Sequence, residues 1–169
     1  MPPGQHTHDC ACCGERHDGP PMAYAPASPP PGWKRRYAVR RDSFLTGEQC
    51  VIKDEHFYVR GVLRLPVLDA EEDFDWGVWV SLSRASFDRM YDRWDDPARV
   101  EEPPYFGWLC TELPYAEPTL LLKSHVLTQP VGTRPLIELE PTGHPLAVEQ
   151  REGITMARVR AFADLLVQG

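Results

Sequence analysis

Four residues able to bind a metal lie within one short stretch, "CACCGERH", which starts at Cys10 and also holds Cys12, Cys13 and His17. Zinc favours four ligands in a tetrahedron, and thiolate and imidazole both suit it. The C-x-x-C spacing of Cys10 and Cys13 allows two sulfurs to converge on one ion, and Gly14 supplies the backbone freedom for a tight turn. His17 is close enough in the chain to reach back. The spacing predicts a zinc site built on Cys10, Cys13 and His17.

The fourth ligand of this zinc is left open by the sequence. Cys50 is the first choice, because it opens the region with strand-like patterning. Cys110, Asp9, His8 and a water molecule are the alternatives. A water would leave an open coordination position, which is the arrangement of catalytic zinc. Cys12 is interpreted as a bystander that can replace either paired cysteine.

The cysteine cluster also allows two readings without zinc. A C-x-x-C can be a thiol–disulfide pair, but such motifs usually open a helix inside a βαβ unit. Here the cluster precedes "GPPMAYAPASPPPGW", whose six prolines forbid a regular helix or a central strand. The other reading is an exposed cluster with no ligand role. Structural zinc is favoured over both.

A second candidate site lies in "ELEPTGHPLAVEQ", which contains Glu140 and His144. On one cleft these two side chains would form a general base and its orienting partner, or a second metal site together with His125. The competing interpretation is that His144 caps a turn or helix and that Glu140 is a surface strand residue. The competing interpretation is favoured.

Two tryptophans are weak candidates for ligand binding. By strand alternation Trp79 faces away from Trp76, so Trp79 can line a pocket or partner interface with Trp108 or Tyr105 if that face is uncovered. The alternative is a second buried layer under the C-terminal helix.

Charged residues suggest further contacts. Arg60, Arg64 and Arg134 can bind an anion, although pairing with acidic side chains is favoured. A basic segment over 34–41 and an acidic segment over 69–75 have opposite sign. They can meet within one chain or between two protomers of a homodimer, although solvated faces are the default.

The bulk composition limits the class of protein. The chain has 169 residues, 42% of them hydrophobic, and a formal net charge of −7. An acidic chain argues against nucleic acid and anionic membranes as partners. No apolar run approaches the roughly 20 residues that span a bilayer, and the first residues lack the basic and apolar regions of a secretory signal. We therefore expect a cytoplasmic protein with reduced thiols.

The patterning predicts one α+β domain with a mainly antiparallel sheet, a mid-chain helix, a C-terminal helix and an N-terminal zinc-knuckle-like arm. Residues 1–9 are interpreted as a disordered lead-in and 10–169 as the domain. Its parts are the knuckle and proline-rich arm over 10–33 and the α+β core over 50–167. Strands are expected over 50–65 (two, with a turn at Asp54–Glu55), 74–82, 105–111, 119–129 and 134–141, and helices over 84–94, 144–150 and 156–168.

An ordered series of segments resembles the bacterial domain-of-unknown-function 2199 family. It runs through "CxxCGxxH", "QCVI", "FYVRGVLRLPV", "FDWGVWVSLSRASFDR", "PPYFGWLCTELP" and "TLLLKSHVLTQPVGTRPLIELEPTGHPLAVEQREGIT". The resemblance covers nearly the whole chain. It implies a bacterial protein of similar length without an established activity, and it supports treating Cys10, Cys13, Gly14 and His17 as one unit.

Two functions from different classes follow. The first is a binding or interaction module with a structural zinc, whose partner is an unknown protein or small molecule. The second is a hydrolytic enzyme that uses a zinc-bound water, or Glu140 with His144, in an aromatic-lined pocket.

Overall fold

The structure, a computed structural model, describes residues 7–9 and 14–168. Cys10, Cys12 and Cys13 lie outside the described residues, as do residues 1–6 of the expected lead-in. Residues 7–9 of that lead-in form a strand.

Ten strands, three α-helices and two 3₁₀ turns make up the described chain. The strands are β1 (Thr7–Asp9), β2 (Arg16–Asp18), β3 (Ala23–Tyr24), β4 (Phe44–Leu45), β5 (Gln49–Ile52), β6 (His56–Leu65), β7 (Phe74–Leu82), β8 (Tyr105–Leu109), β9 (Lys123–Leu127) and β10 (Leu136–Leu139). The helices are α1 (Arg84–Asp92), α2 (Pro145–Glu152) and α3 (Met156–Val167), and the 3₁₀ turns span Arg35–Val39 and Pro97–Glu101. No helix of the described chain has both the length and the apolar character needed to cross a bilayer.

Five strands close into a barrel. β6, β7, β8, β9 and β10 pair antiparallel in chain order, and β10 returns to pair parallel with β6 at Leu136 and Val62. The Val62 amide also donates to the Pro135 carbonyl at 2.9 Å. The predicted α+β class with a mainly antiparallel sheet is confirmed. The closure of the sheet into a barrel was not predicted. It depends on a contact between residues 74 positions apart, and such a contact leaves no periodic pattern in the sequence of either strand.

Three further strands extend the barrel on both sides. β3 pairs parallel with β7, β5 pairs antiparallel with β6, and β4 pairs with β5 at the edge. The β5–β6 turn has Lys53 and Asp54 at φ 53°, and the Glu55 amide donates to the Ile52 carbonyl at 3.0 Å. Two consecutive left-handed residues match the right-handed twist of the strands they join. The hairpin expected around Asp54–Glu55 is therefore confirmed.

The sheet is buried on both of its faces over β6 and β7. Alternate residues from Phe57 to Leu65 join the main core with α1 and α3. The opposite face, where Tyr58 and Trp79 lie, forms a smaller second core with Cys50, Cys110 and Tyr37, and Trp33 packs against it. The end of the proline-rich arm therefore covers the second face.

The helices begin near the predicted residues. The Ser83 side chain accepts a bond from the Ser86 amide at the start of α1. Thr155 holds the N-cap position of α3 without a side-chain bond, and the Asp69 carboxylate instead accepts from the Met156 amide at 2.8 Å. Asp69, a member of the acidic segment, thus caps the N-terminus of α3, where a negative charge is favourable.

The acidic and basic segments do not pair with each other within the described chain. Asp75 of the acidic segment accepts a two-point bond from Arg64 at 2.8 and 2.9 Å. Arg40 of the basic segment binds Asp42 beside it. No ion pair between described residues joins the two segments, and the ion pairs of Arg40 and Asp75 are made with other residues.

Candidate functional site

The two strands that flank the cysteine cluster form an antiparallel hairpin. Asp9 pairs with Arg16, and His8 lies directly across from His17. The two imidazole rings are stacked with centroids 5.6 Å apart and planes 26° apart. Gly14, between the strands, has φ 71°, a left-handed conformation that suits glycine. The hairpin therefore places two imidazoles side by side at the base of the segment that carries the cysteines.

One ring nitrogen of His8, Nδ1, already has a hydrogen-bond partner. Its Nδ1 lies 3.1 Å from the Gly19 carbonyl oxygen. In that contact Nδ1 carries the proton, so Nε2 keeps the lone pair that a metal needs, and such backbone contacts orient metal-binding histidines in proteins. Two imidazoles bound to one tetrahedral zinc at about 2.0–2.1 Å have ring centres roughly 5 Å apart. The observed spacing of the rings is close to that value.

A complete ligand set is not visible within the described part of the chain. Residues 7–9 and 14–168 contain no group of three or more histidine, cysteine or acidic side chains arranged for a metal ion. Cys10 and Cys13, which the sequence assigns as two ligands, lie in the stretch that the structure does not describe. The described hairpin contributes His17 and the alternative ligand His8.

Cys50, the first choice for the fourth ligand, is a core residue. It is fully buried and packs in the second core beside Tyr58, Trp79 and Cys110. Burial raises the pKa of the Cys50 thiol to about 12, which opposes the thiolate that zinc binds. Cys110 is buried too, and its thiol donates to the Trp108 carbonyl at 3.3 Å. Both cysteines therefore occupy buried positions of the kind that a small apolar side chain fills.

His144 and Glu140 do not form the catalytic pair considered from the sequence. His144 is the N-cap of α2, where its Nδ1 accepts from the Leu146 amide at 3.1 Å. Its Nε2 lies 3.1 Å from the Pro118 carbonyl. With both ring nitrogens engaged, His144 ties the start of α2 to the β8–β9 connection, and it has the capping role that the favoured interpretation predicts.

Glu140 instead contacts His125. One carboxylate oxygen lies 3.3 Å from His125 Nε2, and both side chains are about two-fifths exposed. An exposed pair of this kind contributes little to stability and is screened by water. His125 lies on β9 and Glu140 directly after β10, and no third polar side chain of residues 7–9 and 14–168 is bonded to the pair.

The two candidate tryptophans lie in different environments. Trp79 is 5% exposed and belongs to the second core, so the buried-layer interpretation holds, but Trp33 and Tyr37 cover it rather than the C-terminal helix. Trp108 is 39% exposed on the outside of β8. The structure does not bring the two indoles together in one pocket.

Trp108 belongs to an exposed patch that we call the aromatic face, formed by Phe106, Trp108, Lys123 and His125. The Phe106 and Trp108 rings meet edge to face at 5.2 Å, and the Lys123 ammonium lies 6.0 Å from the Trp108 ring. Gly107 between them faces inward, and a Cβ there would lie 2.3 Å from Val80 Cγ1. This close approach of β8 to β7 directs the aromatic pair outward.

An ionic cluster around the buried carboxylate of Glu102, between α1 and β8, was not anticipated from the sequence. The Glu102 carboxylate, with only 3% of its side chain exposed, accepts from Arg89 at 2.6 Å, Arg93 at 2.5 Å and the Tyr105 hydroxyl at 2.7 Å. These donors lower the pKa of Glu102 to about 2, Arg89 contributing most. The spacing of Arg89 and Arg93, four apart on one helix face, is the available sequence signal. The cluster joins α1 to the barrel.

Comparison with known proteins gives one family. The profile of a family described as "Uncharacterized protein conserved in bacteria (DUF2199)" matches residues 9–154. The match includes β2, the whole barrel and α2, but only Asp9 of β1, so His8 lies outside it. No curated protein and no solved structure matches the chain.

Proposed function

We propose a zinc-anchored binding module, from the premise that the chain belongs to the DUF2199 family of uncharacterised bacterial proteins. Zinc would be held by Cys10, Cys13 and His17, with His8 as the fourth ligand. The observation that carries this proposal is the pairing of His8 with His17 across the hairpin, with ring centroids 5.6 Å apart.

His8 is a better fourth ligand than Cys50 on energetic grounds. A thiol in an apolar core must lose its proton before it binds zinc, and burial opposes that loss. His8 binds as a neutral imidazole, and its Nδ1 contact with Gly19 already favours the required tautomer. Moving Cys50 out of the second core would also leave a cavity between Tyr58 and Trp79.

A closed set of four protein ligands gives the zinc a structural role. β1 and β2 have three residues each, and an isolated hairpin of that size is at best marginally stable in water. Because the metal binds the folded hairpin and not the extended chain, its binding energy becomes folding energy for this arm. The arm would then be held in one arrangement beside the barrel.

Metal content tests the zinc site directly. We expect about one zinc per chain in protein purified without a histidine tag, and a loss of most of it in Cys10→Ser, Cys13→Ser, His17→Ala and His8→Ala. Cys50→Ser, the matched control, should keep its zinc. Elemental analysis by mass spectrometry, with circular dichroism to confirm folding, gives the readout.

Other outcomes of that measurement point elsewhere. Metal-free wild-type protein would contradict the proposal, and zinc lost with Cys50→Ser but kept with His8→Ala would contradict the choice of fourth ligand. Zinc kept in both of these variants would indicate an open coordination position. That result would favour the hydrolytic alternative, in which a zinc-bound water is the nucleophile.

For the binding role, we propose that the aromatic face contacts a second copy of the chain. Phe106 is 42% exposed and Trp108 39%, and their rings contact each other, so they form a contiguous exposed apolar patch. Lys123 lies on this face, and the exposed Glu138 lies on the neighbouring β10. A two-fold contact needs a patch that is complementary to itself, and one carrying both signs of charge meets that need.

Light scattering coupled to size-exclusion chromatography tests this association. We expect a dimer of the wild-type protein and a monomer of the double variant Phe106→Ser, Trp108→Ser, because these rings supply most of the exposed apolar area of the face. Leu166→Ser on α3, which is similarly exposed, is the control and should stay dimeric. A wild-type monomer at all accessible concentrations would contradict the self-association.

A further inference from the structure

Of three arginines on or beside β6, two are paired with carboxylates and the third, Arg60, is not. Arg64 is paired with Asp75, and Arg134 holds Glu48 through two guanidinium nitrogens at 2.8 and 2.9 Å. Arg60 makes no hydrogen bond or ion pair with any described residue through its side chain. Its Nε is fully shielded from solvent and has no acceptor among them.

Arg60 lies between the two members of the Glu48–Arg134 pair. Its strand β6 is flanked by β5 and β10, with Glu48 just before β5 and Arg134 shortly before β10. The Arg60 amide donates to the Glu48 carbonyl at 2.8 Å. The pair therefore spans β6 at the position of Arg60, and within the described part of the chain the Glu48 carboxylate bonds to no side chain but that of Arg134.

The charge around Arg60 is unbalanced. Burial lowers the pKa of Arg60, the positive charge of Arg134 lowers it further, and Glu48 opposes both effects. A half-buried guanidinium without an acceptor is an unfavourable arrangement in a folded chain. It becomes favourable when an anion supplies the missing acceptors.

A groove of about 510 Å³ lies beside this cluster, a size typical of small-molecule sites. Its lining consists of Glu48, Trp94, Arg99, Gly132, Thr133 and Arg134. Arg99 donates to four backbone carbonyls, so it adds positive charge and has little further bonding capacity. Three arginines and one glutamate leave this region positive, in a chain whose net charge is −7.

We propose that this groove binds a small ligand carrying an oxyanion, a phosphate or a carboxylate. Arg134 holds the oxyanion at the groove wall, and Arg60, which lies next to Arg134 but outside the lining, turns its guanidinium toward it. The planar fork of a guanidinium matches either oxyanion with two parallel hydrogen bonds. Trp94 at the groove wall offers an apolar surface for a planar part of the ligand. Glu48 is the internal carboxylate that occupies Arg134 when no ligand is bound. This proposal is independent of the zinc site.

Calorimetric titration at constant ionic strength tests it, with phenyl phosphate, benzoate and inorganic phosphate as probes. We expect saturable binding of an aromatic probe, weakened about 10-fold or more in Arg60→Gln, since a charged hydrogen-bonding partner is lost. Arg134→Gln should weaken binding similarly. Glu48→Gln should tighten it several-fold, because the competing carboxylate is removed.

Arg64→Gln is the matched control, since Arg64 lies on the same strand but is paired with Asp75. It should bind as the wild type does. Tighter binding of phenyl phosphate than of benzoate would identify a phosphate ligand, and the reverse order a carboxylate ligand. The difference in affinity between phenyl phosphate and inorganic phosphate measures the contribution of the ring.

Several results would overturn the proposal. They are the absence of saturation below about 10 mM for both aromatic probes, an equal loss in Arg64→Gln and Arg60→Gln, or weaker binding in Glu48→Gln. Should Arg60→Gln fail to fold, Arg60→Lys keeps the charge without the fork and is expected to bind less tightly than wild type, while the Glu48→Gln result is decisive by itself.

Discussion

Replacing Phe162 by alanine is expected to lower the free energy of unfolding by about 3–5 kcal/mol. Phe162 is fully buried where α3 packs on the barrel. Its ring centre lies 5.2 Å from that of Phe74 and 4.9 Å from that of Trp76. The Arg158 guanidinium lies 4.5 Å from the centre of the same ring. Truncation would remove all these contacts and leave a cavity between α3 and β7.

Urea denaturation followed by tryptophan fluorescence measures the loss of stability. Leu165→Ala on the same helix is the matched control, because Leu165 is 47% exposed and its truncation should cost less than about 1 kcal/mol. Equal losses in the two variants would mean that α3 does not pack through Phe162. An unchanged denaturant slope in both would show that only the native contacts changed.

Replacing Arg99 by methionine is expected to cost about 3 kcal/mol, because four backbone carbonyls lose a charged donor. Arg99 is 6% exposed, and its guanidinium donates to the carbonyls of Trp94, Gln129, Pro130 and Thr133. Bond lengths lie between 2.7 and 3.0 Å. One side chain thus holds the β9–β10 connection against the end of α1. Methionine keeps the apolar stem and removes the donors.

Two further variants separate bonding from charge. Arg99→Lys keeps the charge but has no planar fork, so its loss should fall between those of the wild type and Arg99→Met. Arg64→Met removes an exposed ion pair and should cost no more than about 1 kcal/mol. Thermal unfolding monitored by circular dichroism ranks the three. A cost of Arg99→Met no greater than that of Arg64→Met would contradict the assigned role.

Local elements were predictable because they depend on neighbours in the chain. Alternation from Phe57 to Leu65 predicted β6, and Ser83 predicted the start of α1. Helical spacing was less reliable at the surface. Tyr91 and Leu166 match the helical core pattern, yet they are 55% and 41% exposed, because α1 and α3 each bury a narrower stripe than their spacing suggests.

The candidate sites depended on distant contacts to different degrees. The grouping of Cys10, Cys13 and His17 is local, and the sequence could propose it. Cys50 also has a sequence context typical of a ligand, but β5 inserts its thiol into a core made by residues up to 60 positions away. For His144 the sequence favoured a capping role over a catalytic one, and in the fold His144 is the N-cap of α2.

The sequence by itself determined the α+β class, the strand and helix positions, the family and the cluster of metal-binding residue types, since each is encoded in short periodicities, caps and spacings. Tertiary structure decided the closure of the barrel, the position of His8 opposite His17, the burial of Cys50 and the isolation of Arg60 beside the Glu48–Arg134 pair. These features arise where strands distant in sequence pack together. The free energy of such packing depends on which surfaces meet, and no local pattern specifies that.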